Sequence, residues 1–575
     1  MITLRLKLCL LFVLGLTAGL THAEVTIFVA KKVITMDPAR PIAGAIAVEA
    51  GRISAVGSLE EVRRHLLEKG GHGKGHHLDT TFENSVLLPG LVENHLHPIM
   101  AALLLPMEFI TPFDWRFPGR EVKGVQGQPA YRASLVAAES AHPDGQWFFT
   151  WGYHHYFHGD MSRTYLDSVS KNRPIIVWHR SFHELYVNSA ALAAMGVTVE
   201  DVVDHPHVDF ERGHFFETGL SAAFTGLGAK LLAPERLRQG LELTRKIVHQ
   251  GGITTIGDMA AGGFNLELTW PLLLETLDDP SVPFRTLMIG DGRAFGEPPG
   301  SAEGLARLKQ LRESSGDQLR WVKQIKLFAD GAFYSQLMQM NPPGYLDGHH
   351  GEWMMEPAAL LAAARRYWHA GYQIHVHTNG DRGADVVLDV LETLLDEAPR
   401  DDHRFTLHHV GYSTPAQAER MAKLGAHVSA NPYYLYTLGD KYSEVGLGPD
   451  RAAKIFLGAT MLRAGVPLSL HSDFTMAPAE PLTLAWVAAN RVTAFGTLLS
   501  PEERLTLDQA LAAVTIDAAR AIRMEDDIGS ITIGKKADFT VLAQDPYAIP
   551  VMDLNRIPIT ATVFEGRVHP IDMLP

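Results

Sequence analysis

At 575 residues the chain can bury a large core and hold two or three domains. Hydrophobic residues make up 46% and charged residues 20%, the balance of a soluble enzyme. A net charge of -14 and the lack of a basic run argue against nucleic acid or an anionic membrane surface as a main partner.

Met1 to Ala23 reads as a signal peptide that is not part of the fold. Arg5 and Lys7 precede an apolar stretch from Leu8 to Leu20, and Thr21-His22-Ala23 supplies the small-residue ending. Cleavage near Ala23 implies an exported protein, periplasmic or secreted, with no stable membrane anchor. The only cysteine, Cys9, lies in this segment, so any metal in the mature chain is held by His, carboxylate or lysine-derived ligands.

Beyond it, Val25 to Val29, Ala45 to Val48 and Arg52 to Val56 read as strands, and Arg63 to Lys69 as a helix. Gly71 to His77 reads as a solvated turn. An apolar run, Val86 to Leu88, then meets the Pro89-Gly90 turn, and a second short run ends in His95-Leu96-His97. Alternate side chains of a strand share a face, so both imidazoles point the same way, as two nitrogen ligands of one divalent metal require.

From about residue 101 to 250 the pattern loosens into a long insertion expected to cover an active site. Strands are expected over Gln146 to Tyr153 and Pro174 to Trp178, with helices from Ala190 and over Glu235 to Gln250. The aromatic run from Trp147 to Tyr156 nominates Trp151 and Tyr153 as substrate contacts.

From Gly251 the rhythm is regular. Apolar runs at Ile253, Phe284, Val322, Tyr372, Arg404, Ala426 and Pro467 alternate with helical segments such as Ala358 to Ala370 and Ala384 to Glu397. With the strand before His95 they make eight, which predicts an α/β fold: a parallel (β/α)8 TIM-like barrel with catalytic residues at strand carboxyl ends. The tail returns to short strands at Gly529 to Ile531, Asp538 to Leu542 and Ile559 to Phe564. Residues 24–88 and 526–575 are therefore expected to form one small composite β domain, and 89–525 the barrel.

The metal-capable residues fall where such a barrel needs them. His95 and His97 end the first strand, Lys326 the fourth, His375 and His377 the fifth, His408-His409 the sixth, and His471-Ser472-Asp473 the eighth. Lys326 is either a charge partner for Asp330 or a carbamylated lysine able to bridge two metals. Asp473 suits metal coordination and general-base work together.

The ordered set resembles the amidohydrolase superfamily, and within it amidohydrolase family 3, the branch containing N-substituted formamide deformylase. It comprises Pro89-Gly90-Leu91 through His97, Val187 to Leu192, Gly252 to Met259, Ile325 to Gly331, His375 to Arg382, His409, Ser472-Asp473 and Ile528 to Phe539. The resemblance implies a metal-dependent hydrolase barrel over 89–525 beside a β-sandwich built from residues 24–88 and 526–575, with a zinc-like divalent metal, one or two per chain. His95, His97 and Asp473 would hold one ion and His377 and His409 a second, with Lys326 bridging as a carbamate. His183 matches a position on the substrate side of the pocket. The chain departs from the pattern at Glu93-Asn94, Thr378-Asn379, His408 and Ala332-Phe333-Tyr334.

The resulting expectation is a metal-dependent hydrolase acting on a small molecule, cleaving a non-peptide C–N bond of a linear amide, with a possible homodimer as its assembly. Hydrolysis of an ester, lactam or imine bond is the alternative chemistry. A catalytically silent binding protein on the same scaffold is the alternative of another class.

Overall fold

The computed structural model describes residues 25–68 and 76–572. The signal-peptide segment and most of the Gly71 to His77 turn lie outside the described residues.

Eight parallel strands form the central sheet in chain order: Leu91–Leu96, Ile253–Ala261, Arg285–Asp291, Leu319–Phe328, Gln373–Thr378, Thr406–His409, His427–Ala430 and Leu468–Leu470. The sheet closes on itself where Leu96 bridges Phe474 and the Asp473 N–H donates to the His95 carbonyl at 3.1 Å. The expected TIM-like barrel is therefore present, nearly closed between its first and last strands.

Local sequence explains the elements around it. Helix Asp381–Glu397 buries Ala384, Val387, Leu388, Leu391 and Leu394, a stripe at three- and four-residue spacing. Helix Pro415–Lys423 starts from a Thr414–Gln417 capping box. The turn that feeds the first barrel strand needs glycine: a Cβ on Gly90 would sit 2.0 Å from the Thr254 hydroxyl.

Both ends of the chain meet in one seven-stranded sheet. Its order is Arg567–Pro570, Ile559–Phe564, Phe539–Leu542, His76–Pro89, Val25–Ile34, Ile42–Glu49 and Arg52–Gly57. Its ladder is continuous because His76–Pro89 pairs with Val25–Ile34 on one edge and with Phe539–Leu542 on the other. Gly529 to Ile531, read as a strand from its sequence, is a turn whose Ile531 N–H donates to the Thr35 carbonyl at 2.7 Å. Buried Arg285 at the start of the third barrel strand pairs with Asp538 and reaches Glu565 at 3.2 Å, tying barrel to sheet.

The insertion builds its own six-stranded sheet, ordered Val208–Asp209, His214–Phe216, Glu184–Val187, Ile175–His179, Phe148–Tyr153 and Glu108–Phe109. The loop after its Ile175–His179 strand brings Ser181, Phe182 and His183 to a cavity over the barrel.

Candidate metal centre

The strand ends bring His95, His97, Lys326, His377, His409 and Asp473 to one cavity of about 340 Å³. His95 Nε2 and His97 Nε2 lie 3.2 Å apart. Asp473 Oδ1 lies 3.4 Å from the first and 3.1 Å from the second. Ligand atoms 2.0–2.1 Å from a tetrahedral ion stand about 3.3 Å from one another, so these three donors fit a single divalent cation. His409 Nδ1 is 3.8 Å from Asp473 Oδ2, and the His377 ring centroid is 4.4 Å from that of His409.

Lys326 is buried, and its amine has no hydrogen-bond partner. Burial pushes it down to about 7, against the pull of Asp473 and Asp291. The charge-pair alternative with Asp330 is not what the structure contains. Asp330 instead accepts backbone N–H bonds from Asn379 at 2.8 Å, Gly380 at 2.8 Å and Gln339 at 2.9 Å. A buried amine without a hydrogen-bond partner, brought down to about 7, has the accessible lone pair that carbamylation requires.

Burial holds His95, His377, His408 and His409 well below the ordinary histidine range. These rings are therefore neutral, and each keeps one nitrogen lone pair, open to a metal only where no neighbouring hydrogen bond claims it. Glu93, buried beneath them, accepts from the Ser472 N–H at 3.1 Å with both carboxyl oxygens, and burial pushes it up to about 8.

His375 and His408 lie deeper in the barrel. They bond to each other at 2.8 Å, and His408 bonds to His95 at 2.8 Å, which occupies both nitrogens of His408. Asn379, one of the departures from the family pattern, places its amide nitrogen 2.9 Å from His377 Nε2.

His183 lines the cavity, bonded to Glu217 at 2.9 Å. Burial alone would lower it, but the Glu217 carboxylate raises it above the usual histidine value. Trp151 and Tyr153 do not reach the cavity. Trp151 packs on Phe109 and Trp115, and the Tyr153 hydroxyl donates to the Gly159 carbonyl at 2.6 Å. Tyr153 lies in the insertion's own core and Trp151 in the core the insertion shares with the barrel, because that sheet is covered on both faces. Phe182, Phe264, Phe328 and Trp353 supply the aromatic wall instead.

Sequence reasoning left Asp258, Asp291 and Arg293 without a role, though all three line the cavity. Asp258 lies 4.0 Å from His97 Nδ1, and burial pushes it up to about 7. Its signal was present: a carboxylate just after the apolar run that opens the second strand, the same pattern that marked Asp473.

A second histidine group, His154, His155 and His179, lies in the insertion. His154 Nδ1 accepts from the Tyr156 N–H and His179 Nδ1 from the Ser181 N–H. In neutral rings those bonds leave protons on both Nε2 atoms, so this group is a poor metal site.

The amidohydrolase family model matches residues 83–569, spanning the barrel and most of the sheet domain. The chain belongs to the amidohydrolase family. This amidohydrolase is 26% identical over 558 residues to N-substituted formamide deformylase of Arthrobacter pascens, covering 92% of this chain and 96% of that protein. It is 26% identical over 572 residues to Protein LONG AFTER FAR-RED 3 of Arabidopsis thaliana, covering 97% and 92%. Among solved structures, an uncharacterized metal-dependent hydrolase from Pyrococcus horikoshii shares its fold, with a TM-score of 0.69 at 18% identity, covering 92% of this chain and 99% of that one.

Proposed function

We propose that this amidohydrolase hydrolyses the C–N bond of a linear amide, of N-substituted amide or formamide type, at a divalent metal centre. The observation that carries the reading is the convergence of His95 Nε2, His97 Nε2 and Asp473 Oδ1 within 3.4 Å of one another, at the floor of the cavity. His95, His97 and Asp473 would hold one ion; His377, His409 and Lys326 are the candidates for a second. A bound zinc-like ion supplies a Lewis acid for the carbonyl and lowers the pKa of water.

The chain's own groups do the rest. Asp473 takes a proton from the attacking water and returns it to the departing amine nitrogen as the C–N bond breaks. The His183–Glu217 pair holds a proton on the cavity wall, where it can orient a substrate oxygen. Phe182, Phe264 and Trp353 exclude water and favour an apolar or aromatic substituent on the amide. Export through the Met1 to Ala23 leader is part of this proposal.

The test is elemental analysis of protein purified without added metal or chelator, followed by a panel of N-substituted formamides, longer amides, esters and lactams, scored by released amine, alcohol or ring-opened acid. One or two zinc-like ions per chain with release of amine supports the reading. Turnover of esters or lactams alone replaces the amide assignment. No metal after attempted reloading replaces the enzyme with a binding protein.

A further inference from the structure

Two chains of buried hydrogen bonds end on the metal centre, and each begins at an amide side chain anchored to a backbone carbonyl. In the first, the Gln324 amide nitrogen donates to the Ile522 carbonyl at 3.0 Å, which turns the Gln324 carbonyl oxygen toward His375 Nε2, also at 3.0 Å. His375 Nδ1 lies 2.8 Å from His408 Nε2, and His408 Nδ1 lies 2.8 Å from His95 Nδ1. In the second, the Asn94 amide nitrogen donates to the Leu470 carbonyl at 3.2 Å, and its oxygen accepts from the Ser429 hydroxyl at 2.6 Å. Ser429 Oγ lies 2.8 Å from His471 Nδ1, and His471 Nε2 lies 3.1 Å from His409 Nδ1.

A neutral imidazole has one donor and one acceptor nitrogen, so fixing one proton in such a chain fixes them all. An acceptor oxygen on Gln324 demands a proton on His375 Nε2. Its Nδ1 then accepts, so His408 carries its proton on Nε2, and the His408 Nδ1 lone pair accepts from His95 Nδ1–H. His95 Nε2 is left bare. The same count along the second chain starts with the Ser429 proton committed to Asn94. His471 Nδ1–H donates to Ser429, His471 Nε2 accepts from His409 Nδ1–H, and His409 Nε2 is left bare. Every side chain in both chains is buried, so water offers no competing partner.

We infer that Gln324–His375–His408 and Asn94–Ser429–His471 are two positioning relays that set the tautomers of His95 and His409: the first leaves bare the His95 Nε2 that stands 3.4 Å from Asp473 Oδ1, and the second keeps a proton on the His409 Nδ1 that stands 3.8 Å from Asp473 Oδ2, leaving Nε2 as that ring's lone pair for a metal. Reversing either relay would put a proton on that Nε2 and turn an amide oxygen onto a carbonyl oxygen, at Ile522 or at Leu470. The relays also explain why adjacent His408 and His409 are not equivalent: one transmits a proton position, the other receives it. The inference rests on the metal-centre reading above.

Neutron diffraction of metal-free, deuterium-exchanged crystals tests the proton positions directly. The relays require deuterium on Nε2 of His375 and His408 and on Nδ1 of His95, His409 and His471. Deuterium on His408 Nδ1 or His471 Nε2 overturns them. Cobalt(II) affinity, measured by competition with a chromophoric chelator, is the second readout. Gln324→Leu and Ser429→Ala should each weaken binding about 10- to 100-fold, the range for lost outer-sphere partners, while Gln324→Glu, which keeps the acceptor for His375, should stay within about threefold. Equal affinity in wild type, Gln324→Leu and Ser429→Ala overturns the relays while leaving the metal centre standing. Wild-type protein that binds no cobalt overturns the metal-centre reading itself, and the relays' function with it.

Discussion

Asp473 places Oδ1 3.1 Å from His97 Nε2 while its own backbone sits at φ +54°. A non-glycine residue in the left-handed region is costly, and such strain collects where a side chain must be aimed. Asparagine tolerates this conformation, so Asp473→Asn should fold with an unchanged Tm. As it cannot take a proton, kcat on a verified amide should fall about 100- to 10,000-fold. Full activity in the Asn variant would remove Asp473 from the general-base role.

Lys326→Ala removes the amine without touching the histidines. If carbamate formation on Lys326 holds a second ion, metal per chain should drop, and a short-chain carboxylate added to the buffer should restore part of it. Elemental analysis with and without the added acid decides this; unchanged occupancy would leave Lys326 with no part in binding metal.

The His183–Glu217 pair carries a pH signature. Its folded pKa lies above the unfolded value of 6.5. The folded state therefore binds the proton more tightly, and the pair's contribution to stability is complete below 6.5 and lost as pH rises through the folded pKa. Glu217→Gln should lower the His183 pKa, visible by NMR titration, and flatten this part of the stability profile. A His183 titration that ignores the substitution would show that another group holds the proton.

Two aromatic substitutions separate the insertion's core from the cavity wall. Trp151→Ala opens a buried cavity and should cost about 3–5 kcal/mol in denaturant unfolding. Phe264→Ala, on the wall, should leave stability within about 1 kcal/mol and raise KM for substrates with an aromatic substituent. The reverse pattern would return Trp151 to the substrate pocket.

Asp538→Asn breaks the buried ion pair with Arg285 and leaves a guanidinium without its main counter-charge. The expected loss is about 3–5 kcal/mol, since the desolvation of Arg285 is no longer offset. Asp538 belongs to the tail sheet and Arg285 to the barrel. Unfolding of Asp538→Asn should therefore split into two transitions by calorimetry, where a single unshifted transition would mean the two parts do not depend on this contact.

Much of the architecture was legible in the chain because helices and strands announce themselves through local period. Pro357–His369 and Asp381–Glu397 lie within three residues of their expected bounds, and all eight barrel strands fall on apolar runs. Polar residues at the ends of those runs, from His95 to Asp473, stood out for the same reason. Where expectation and structure part, in Trp151, Tyr153 and Gly529 to Ile531, the pattern was real but its neighbours were not local. An aromatic strand looks the same whether it faces a cavity or a second layer of core.

By itself, then, the sequence determined the order of elements, the face on which His95 and His97 both lie, and the family to which the chain belongs. Only the tertiary structure decided which histidines meet. His375 and His377 share a face two residues apart, yet one ends deep in a relay and the other at the cavity. A two-residue period specifies direction but not depth along a barrel. Depth and partner are set by the register between strands and by closure of the first strand on the eighth, contacts that join residues from tens to hundreds of positions apart.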